Sequence, residues 1–482
     1  MLGHYQQPSL TSGITMKRMS TSSLAGRCLC AAIVATGLLA ALPTVAQTAT
    51  PLVVPMTNTW QANAQLPPIL PLRDRAKVVN DILAERLDTV VPKLMRDNHA
   101  SMWIVMAREY FEEPVIATML NAESMHARRR TILVFYNPGD NKPIERLTVS
   151  RYGLGGLFKG AWNPDQQPDQ WKAVADIVAA RDPANIAINT SDMFAFADGM
   201  TLSQYKEMMA ALPEKYRPRV VSGERLAVGW LETRTPTELR IYPGIVRIAH
   251  ALIQEAFSRK VITPGQTTTD DVVWHLRQRM ANLGIDTWFQ PSVGVQRKGA
   301  KGYLEGDTVI EPGDLLWTDF GITYLRLNTD TQEHAYVLKP GETDAPAGLK
   351  AGLKAVNGVQ DALLSSFKAN ASGNSILLAA LKKAKDNGLD ANIYSHPIGF
   401  HGHGAGSSIG MADNQRGDDA RGEYPVHANI TWSIELRAFK GVPEWDNQKV
   451  EFRQEEDAYF DGSKVTFLDG RQTDFILIPS GS

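Results

Sequence analysis

The first half of the chain, up to about residue 225, has two alternating patterns of apolar positions. Apolar side chains recur at helical spacing in RAKVVNDILAERLDTVVPKLM (75–95) and DQWKAVADIVAAR (169–181), and strand-like runs occur in MWIVMA (102–107), TILVFYN (131–137), RLTVSRYG (146–153) and NIAIN (185–189). Helices that alternate with strands predict an α/β domain, which we place at residues 60–228. Its sequence groups no His, Asp and Glu at ligand-like spacing, so we expect a scaffold or a dimer-forming domain.

The second half of the chain has longer helical patterns, separated by strand-like runs. Pro236 fits the first turn of a helix whose apolar face extends to Phe257, and TTDDVVWHLRQRMANLG (268–284) begins with Thr and Asp caps and ends at Gly284. Two more amphipathic helices are predicted between residues 346 and 388. Residues 235–480 are therefore predicted to form an α+β domain in which helices cover a mostly antiparallel sheet.

Residues 1–46 differ from both blocks. They contain three basic residues and no acid, and the basic residues precede the 15-residue apolar run CLCAAIVATGLLAAL and the small residues Thr44 and Ala46. This order is typical of a secretory signal peptide, and the apolar run is shorter than the ~20 residues that a permanent membrane helix needs. We expect an exported protein, periplasmic or secreted, with no stable membrane anchor after cleavage; a retained anchor is the alternative.

Composition and charge narrow the class of protein further. A chain of 482 residues is too long for a single hydrophobic core, and 43% apolar with 21% charged residues is typical of a folded globular protein. The net charge of -2 argues against nucleic-acid binding, and no Lys/Arg run suggests a surface that follows a phosphate backbone. Both cysteines, Cys28 and Cys30, lie in the signal segment, so the mature chain has no thiolate for catalysis or metal binding.

The stretch LLWTDFGITYLRLNTDTQ (315–332) contains two strand-like runs with an acid near the end of each, Asp319 and Asp330. Facing residues on neighbouring antiparallel strands lie about 4.5–5.5 Å apart. Two carboxylates at that distance in apolar surroundings repel each other unless one is protonated or a cation lies between them. A divalent metal removes the repulsion, whereas an Asp that only caps a turn at a strand end is the alternative.

A second stretch, SHPIGFHGHGAGSSIG (395–410), places three histidines among five glycines. Imidazole nitrogens are metal donors, and glycine allows the backbone to approach a ligand closely. We expect at least one of His396, His401 and His403 to bind a metal.

Two acids follow in apolar surroundings. Glu435 lies within the strand-like TWSIELRA, and Glu455 lies in FRQEEDAYF, where the neighbouring Glu456 is an alternative to it. Buried carboxylates require a partner, so both are candidate ligands.

The order Asp, Asp, His, Glu, Glu in the motifs TDFG, LNTD, HGAG, SIEL and RQEED resembles the pita-bread metallopeptidase family, which includes aminopeptidase P, prolidase, methionine aminopeptidase and creatinase. The resemblance covers roughly residues 235–478. The α/β block ahead of it is similar to the one found in aminopeptidase P, prolidase and creatinase. The resemblance implies a creatinase-like N-terminal domain, a pita-bread C-terminal domain, a peptide substrate and a homodimer.

The resemblance also implies two divalent metal ions held by five side chains, with either His401 or His403 as the imidazole. Read across the motifs, the ligands are Asp319, Asp330, His403, Glu435 and Glu455. Four carboxylates and one imidazole suit Mn²⁺ best, with Co²⁺ and Zn²⁺ as alternatives. A water shared by the ions would be the nucleophile, and Glu435 the proton shuttle to the leaving amine, in an exopeptidase of the Xaa-Pro aminopeptidase or dipeptidase kind.

The chain departs from the family pattern at two histidines that prolyl-specific members use to hold the substrate. RKGAKGYLEGDTVIEPGD (297–314) contains none, and the position seven residues after His403 is Gly410. We expect His396 or His401 to take this catalytic role, and specificity for Xaa-Pro bonds stays open. The alternatives are a non-peptide metallohydrolase, such as an amidase or phosphoesterase, and an inactive binding module on the same fold.

Overall fold

The computed structural model describes residues 52–140 and 142–480. Its helices are α1 (Leu72–Asp97), α2 (Pro114–Met119), α3 (Gln170–Arg181), α4 (Leu202–Ala211), α5 (Glu224–Glu232), α6 (Pro236–Ala256), α7 (Thr269–Leu283), α8 (Ala347–Leu364) and α9 (Gly373–Asp386). The predicted signal peptide, residues 1–46, lies outside the described residues, so export stays a prediction. Within the described residues, no helix is both long and apolar enough to cross a membrane.

The strands fall into an N-terminal and a C-terminal group. The first group is β1 (Met102–Ala107), β2 (Thr131–Tyr136), β3 (Glu145–Val149), β4 (Lys159–Gly160), β5 (Ile186–Ile188) and β6 (Val220–Ser222). The second is β7 (Ser292–Gln296), β8 (Leu315–Phe320), β9 (Thr323–Tyr324), β10 (Leu327–Asn328), β11 (Thr331–Val337), β12 (Ala391–Ile393), β13 (His396–Ile398), β14 (Ile430–Ser433), β15 (Leu436–Val442), β16 (Gln448–Gln454), β17 (Asp457–Phe460), β18 (Val465–Phe467) and β19 (Ile476–Ile478).

A six-stranded mixed sheet, in the order β4-β3-β2-β1-β5-β6, forms the centre of the N-terminal domain. Every residue of β1 is buried, because successive side chains point to opposite faces and both faces are covered. Trp103 packs in one core with residues of α1 and α5, and Ile104 packs in another with residues of α3 and α4. The predicted α/β architecture is confirmed.

Three larger sheets form the C-terminal domain, in the orders β19-β11-β8-β7, β12-β15-β16 and β13-β14-β17-β18. Their strand pairs are antiparallel except for β11 with β19. Helices α6 and α7 share a core with the first sheet, and α8 and α9 share a second core with strands of the other two. The prediction of helices over a mostly antiparallel sheet is confirmed, whereas the domain limits 60–228 and 235–480 and the homodimer stay predictions.

Helices α6 and α7 begin where the sequence indicates. Thr235 and Thr268 each accept a hydrogen bond from the backbone N–H three residues later, and the acid at that position bonds back to the cap. Pro236 occupies the first turn of α6, and Gly284 ends α7 in the left-handed conformation at φ +61°.

A buried ion network joins α1 to the beginning of α6. Arg86 Nη1 lies 2.8 Å from Glu238 Oε2, and Arg234 Nη1 lies 3.2 Å from Glu238 Oε1. A side chain at Gly399 would place its Cβ 2.7 Å from the Arg234 guanidinium carbon, so the chain approaches this network where only glycine fits. The network therefore fixes the histidine-rich stretch relative to the junction between the domains.

Candidate functional site

The two aspartates of the 315–332 stretch meet because their strands pair. β8 and β11 are antiparallel neighbours, with Gln332 opposite Asp319. Asp330 immediately precedes β11, and its carboxyl group lies close enough to that of Asp319 for the charge of Asp319 to raise the pKa of Asp330. Strand pairing thus brings the two acids together at one end of the hairpin.

Two glutamates reach the same place from other strands. Glu455 follows β16 and bridges through its main chain to Gln332 of β11, while Glu435 lies between β14 and β15. The Gln332 side chain joins the two acids, since its Nε2 donates to Glu455 Oε2 at 2.7 Å and to Glu435 Oε1 at 3.2 Å. Four carboxylates therefore converge from distant parts of the sequence.

His396 adds an imidazole to these acids. Its Nε2 lies 3.9 Å from Asp330 Oδ2 and 3.9 Å from Glu455 Oε1. Its Nδ1 lies 3.1 Å from the carbonyl oxygen of Pro397, so the ring N–H donates there and the Nε2 lone pair faces the carboxylates. The metal-centre cluster, as we call it, consists of Asp319, Asp330, His396, Glu435 and Glu455.

The structure places His403 beside this cluster and outside it. The His403 ring centre lies 5.6 Å from that of His396 and 5.5 Å from that of Trp288, and its side chain is exposed. His401 stacks on Phe196 of the N-terminal domain, with 3.8 Å between the ring centres. Neither of the two histidines that the motif HGAG suggested as ligands faces the acids.

This arrangement differs from the sequence-based assignment of His403 as the ligand and of His396 as a substrate contact. The reason is strand pairing: β13 pairs with β14, which places His396 opposite Ser433. Ser433 in turn donates a hydrogen bond to Glu455 Oε1. His396 is therefore carried to the acids by a regular strand, whereas His403 belongs to the glycine-rich loop that follows.

The sequence contained a signal for His396 that the motif obscured. Members of the family have a second histidine about seven positions after the ligand. Counted from His403 that position is Gly410, but counted from His396 it is His403. The pair His396 and His403 satisfies the spacing that appeared to be missing.

Glu456 points away from the metal-centre cluster. Its Oε2 lies 3.0 Å from His250 Nε2, and His250 Nδ1 lies 3.1 Å from Asp469 Oδ2. Although burial alone would lower it, Glu456 and Asp469 hold the pKa of His250 well above its usual range, so a positive imidazolium balances these acids. Adjacent residues of an extended chain face opposite sides, which is why Glu455 and Glu456 enter different groups.

Burial and mutual repulsion dominate the electrostatics of the cluster, although Arg453 lowers the pKa of Asp319 and Glu435 to a smaller extent. Burial raises the pKa of Asp319 to about 7 and that of Glu435 to about 8. Burial, followed by the charge of Glu455, raises the pKa of Asp330 well above its usual range, and burial followed by Glu435 does the same for Glu455. Among the described residues, the buried oxygens Asp319 Oδ1 and Asp330 Oδ1 have no hydrogen-bond partner.

The donor set fits divalent cations. Buried carboxylates without partners are costly, and a cation between them removes both the repulsion and the unsatisfied oxygens. Burial lowers the pKa of His396 to about 4, so its imidazole stays neutral and able to donate a lone pair. Four carboxylates with one neutral imidazole suit Mn²⁺ and similar ions.

A cavity of about 250 Å³ opens beside the cluster. Asp319 and Glu435 line it, together with Trp317, Gln332 and Tyr394. A substrate in this cavity would therefore contact two of the acids directly.

Gln332 was not singled out from the sequence, yet it positions two of these acids. Trp317 Nε1 donates to Gln332 Oε1 at 2.8 Å, which turns the amide nitrogen toward Glu435 and Glu455. The side chain is only 2% exposed, so no water replaces this donor. The sequence alone gives no sign of this role, because it depends on the pairing of Gln332 with Asp319 and Glu455 on other strands.

We expect Gln332→Glu to weaken metal binding or activity by about 10- to 100-fold, the usual cost of losing a partner that orients ligands. The substitution keeps the shape but replaces a donor with a fifth acid. Competition with a chelator measures the metal affinity, and peptide hydrolysis measures the activity. Gln278→Glu, the same change at an exposed position of α7, should leave both unchanged. Equal behaviour of the two variants would contradict the positioning role.

Comparison with protein families identifies the region of the chain in which the metal-centre cluster lies. Residues 244–460 match the family model of metallopeptidase family M24, and the matched region contains all five residues of the metal-centre cluster. None of the proteins with curated descriptions matches the chain.

Solved structures with the same fold are similar at low sequence identity. X-Pro aminopeptidase from Thermotoga maritima is 16% identical, with a TM-score of 0.56, over 82% of this chain and 99% of that one. Xaa-Pro dipeptidase from Bacillus anthracis is 14% identical, with a TM-score of 0.53, over 84% and 100% of the two chains. A dipeptidase from Pyrococcus horikoshii is 15% identical, with a TM-score of 0.55, over 82% and 99%.

At these identities the structural similarity shows the fold: an N-terminal α/β domain followed by a pita-bread domain. The sequence match and the fold agree on the same C-terminal region. Residues 244–460 of this chain therefore match metallopeptidase family M24, on a fold that the similar structures share.

Proposed function

We propose that this protein is a metal-dependent exopeptidase that hydrolyses peptide bonds near the N-terminus of peptides. The observation that carries the proposal is the convergence of four acids and His396 beside a cavity within the M24 domain. The similar structures are those of an X-Pro aminopeptidase and two dipeptidases, which supports a short peptide as the substrate.

The proposed site holds two divalent ions, Mn²⁺ by preference. Asp319, Asp330, His396, Glu435 and Glu455 would hold the ions. When bound, the ions would polarise the scissile carbonyl and activate a water. Glu435 lines the cavity, so it is placed to carry a proton to the leaving amine.

His403 is proposed as a substrate contact rather than a ligand. It is exposed, whereas His396, whose ring centre lies 5.6 Å away, is buried, so His403 lies on the solvent side of His396. With His396 as the ligand, one of the two substrate histidines of prolyl-specific members is present, and the one expected within 297–314 is absent. We therefore extend the proposal to Xaa-Pro bonds without restricting it to them.

The test is metal removal and reconstitution. Protein treated with a chelator is expected to release no product from Xaa-Pro or Xaa-Ala peptides, and addition of Mn²⁺ should restore hydrolysis with two ions per chain. Elemental analysis gives the stoichiometry, and the products from peptides of increasing length give the cleavage site. Two bound ions without peptide hydrolysis would contradict the peptide substrate and indicate an amidase or phosphoesterase. Failure to bind metal would indicate an inactive binding module.

A further inference from the structure

The cavity beside Asp319 and Glu435 has a positively charged wall. Arg437 and Arg453 both line it, on neighbouring strands where the two residues face each other in the β15–β16 register. Among the described residues, Glu451 is the acid that pairs with both, with Oε1 at 2.9 Å from Arg437 Nη1 and at 3.0 Å from Arg453 Nε. Two guanidinium groups therefore share one carboxylate.

The two arginines differ in how firmly the protein holds them. Arg453 is stacked between aromatic rings, with its guanidinium carbon 4.5 Å from the centre of Tyr303 and 4.7 Å from that of Trp317. Arg437 donates to Glu451 and, through Nη2, to the carbonyl oxygen of Ala412 at 3.2 Å. A guanidinium has five N–H donors, so these two bonds leave one N–H each on Nη1 and Nη2 of Arg437. The guanidinium carbon of Arg437 also lies farther from an aromatic ring, at 5.8 Å from the centre of Phe439, so Arg437 is the less firmly held of the two arginines.

The net charge at the cavity wall also favours binding of a negatively charged group. In the proposed function, on which this step rests, two divalent ions balance the four carboxylates of the metal-centre cluster. Arg437 and Arg453 against Glu451 then leave one positive charge in excess at the wall of the cavity. The four carboxylates of the cluster do not neutralise this excess charge, because the two metal ions already balance them.

We infer that Arg437 binds a carboxylate of the substrate peptide. A guanidinium recognises a carboxylate through parallel N–H donors, and such charge-assisted bonds are about twice as strong as neutral ones. A cavity of about 250 Å³ accommodates a small group, so the carboxylate belongs to the end of a short peptide or to an acidic side chain next to the cleaved bond. Both sources present the same chemistry to Arg437, and the substrates of the experiment separate them.

The experiment compares wild type with Arg437→Gln and with a matched control. The first pair of substrates is a dipeptide that the metal-loaded enzyme cleaves and its C-terminal amide. The second pair is the amides of Asp-Ala and Asn-Ala. In one of the two pairs, we expect the wild type to cleave the carboxylate form with a kcat/KM about 10- to 100-fold higher than that of the uncharged form. The first pair identifies the peptide terminus as the source, and the second identifies the side chain.

Arg437→Gln should lower kcat/KM for the carboxylate substrate to that for the uncharged one, while the metal content stays the same. Arg437→Lys keeps the charge without the fork of donors and should retain part of the preference. Arg416→Gln, which removes an exposed arginine paired with Asp418 at 2.9 Å, should keep all of it. A wild type without preference in either pair, or a preference that survives in Arg437→Gln, would overturn the inference while the peptidase function stands.

A binding measurement decides the inference even if no peptide is cleaved, in which case the proposed function itself fails. Glutarate and glutaramate differ only in that one carboxylate is replaced by an amide. Metal-loaded wild type should bind glutarate at least tenfold more tightly, as measured by thermal shift, and Arg437→Gln should bind both equally. Equal affinities in the wild type would overturn the inference.

Discussion

Replacing Asp330 by alanine is expected to abolish peptide hydrolysis and to reduce bound metal below two ions per chain. Asp330 Oδ2 lies 3.9 Å from His396 Nε2, and the charges of Glu455, Asp319 and Glu435 all act on its carboxyl group. Loss of a partner that only orients ligands costs about 10- to 100-fold, so loss of a proposed ligand itself should exceed the upper end of that range. Product release from peptides and elemental analysis of the purified variant measure the two effects.

A matched control separates metal loss from general damage. Asp314 is also buried and directly precedes β8, but it does not belong to the metal-centre cluster. Its Oδ2 lies 2.6 Å from Arg297 Nη2. Asp314→Ala should lower the stability of the fold but retain two ions. If Asp330→Ala keeps full activity, or if both variants lose metal equally, the assignment of Asp330 is refuted.

In the metal-free protein, removal of the charge of Asp330 is expected to stabilise the fold. Burial, followed by the charge of Glu455, raises the pKa of Asp330 above its value in the unfolded chain. Its ionised form therefore costs folding free energy once the pH exceeds the unfolded-state pKa, and protonation at lower pH removes that cost. Asp330→Asn should thus raise the melting temperature in EDTA at neutral pH and abolish the rise that Mn²⁺ gives the wild type.

Short-range patterns in the sequence predict that the two aspartates lie close together. Asp319 and Asp330 lie on either side of one hairpin, so the register of β8 with β11 follows from local strand signals and brings them together. The helix limits at Thr235 and Gly284 were likewise visible, because capping residues act within one turn.

The position of His396 beside the acids was harder to predict because β13 gives almost no strand signal. It has three residues, the second of them Pro397, and it is recognisable as a strand only through its pairing with β14 more than thirty residues later. The glycines around His403 made that residue resemble the ligand motif more strongly than His396. Gln332 and Arg437 were missed for a related reason, since their roles depend on which distant strands lie beside them.

Alanine substitutions at His396 and His403 are expected to separate metal binding from substrate binding. His396→Ala should remove metal, because its Nε2 lone pair faces Asp330 and Glu455 at 3.9 Å each and its Nδ1–H is held by a backbone carbonyl. His403→Ala should retain two ions and lower kcat/KM by about 10- to 100-fold, since an exposed histidine that contacts substrate contributes to turnover without holding the metal.

The decisive readout is metal content at equal protein stability. His396 is buried, so a Gln variant at each histidine accompanies the Ala variant to keep the cavity filled. If both His396 variants lose metal and both His403 variants keep it, the strand β13 supplies the ligand and the glycine-rich loop supplies a substrate contact. The reverse result would show that the loop rearranges when metal binds, bringing His403 to the acids in place of His396.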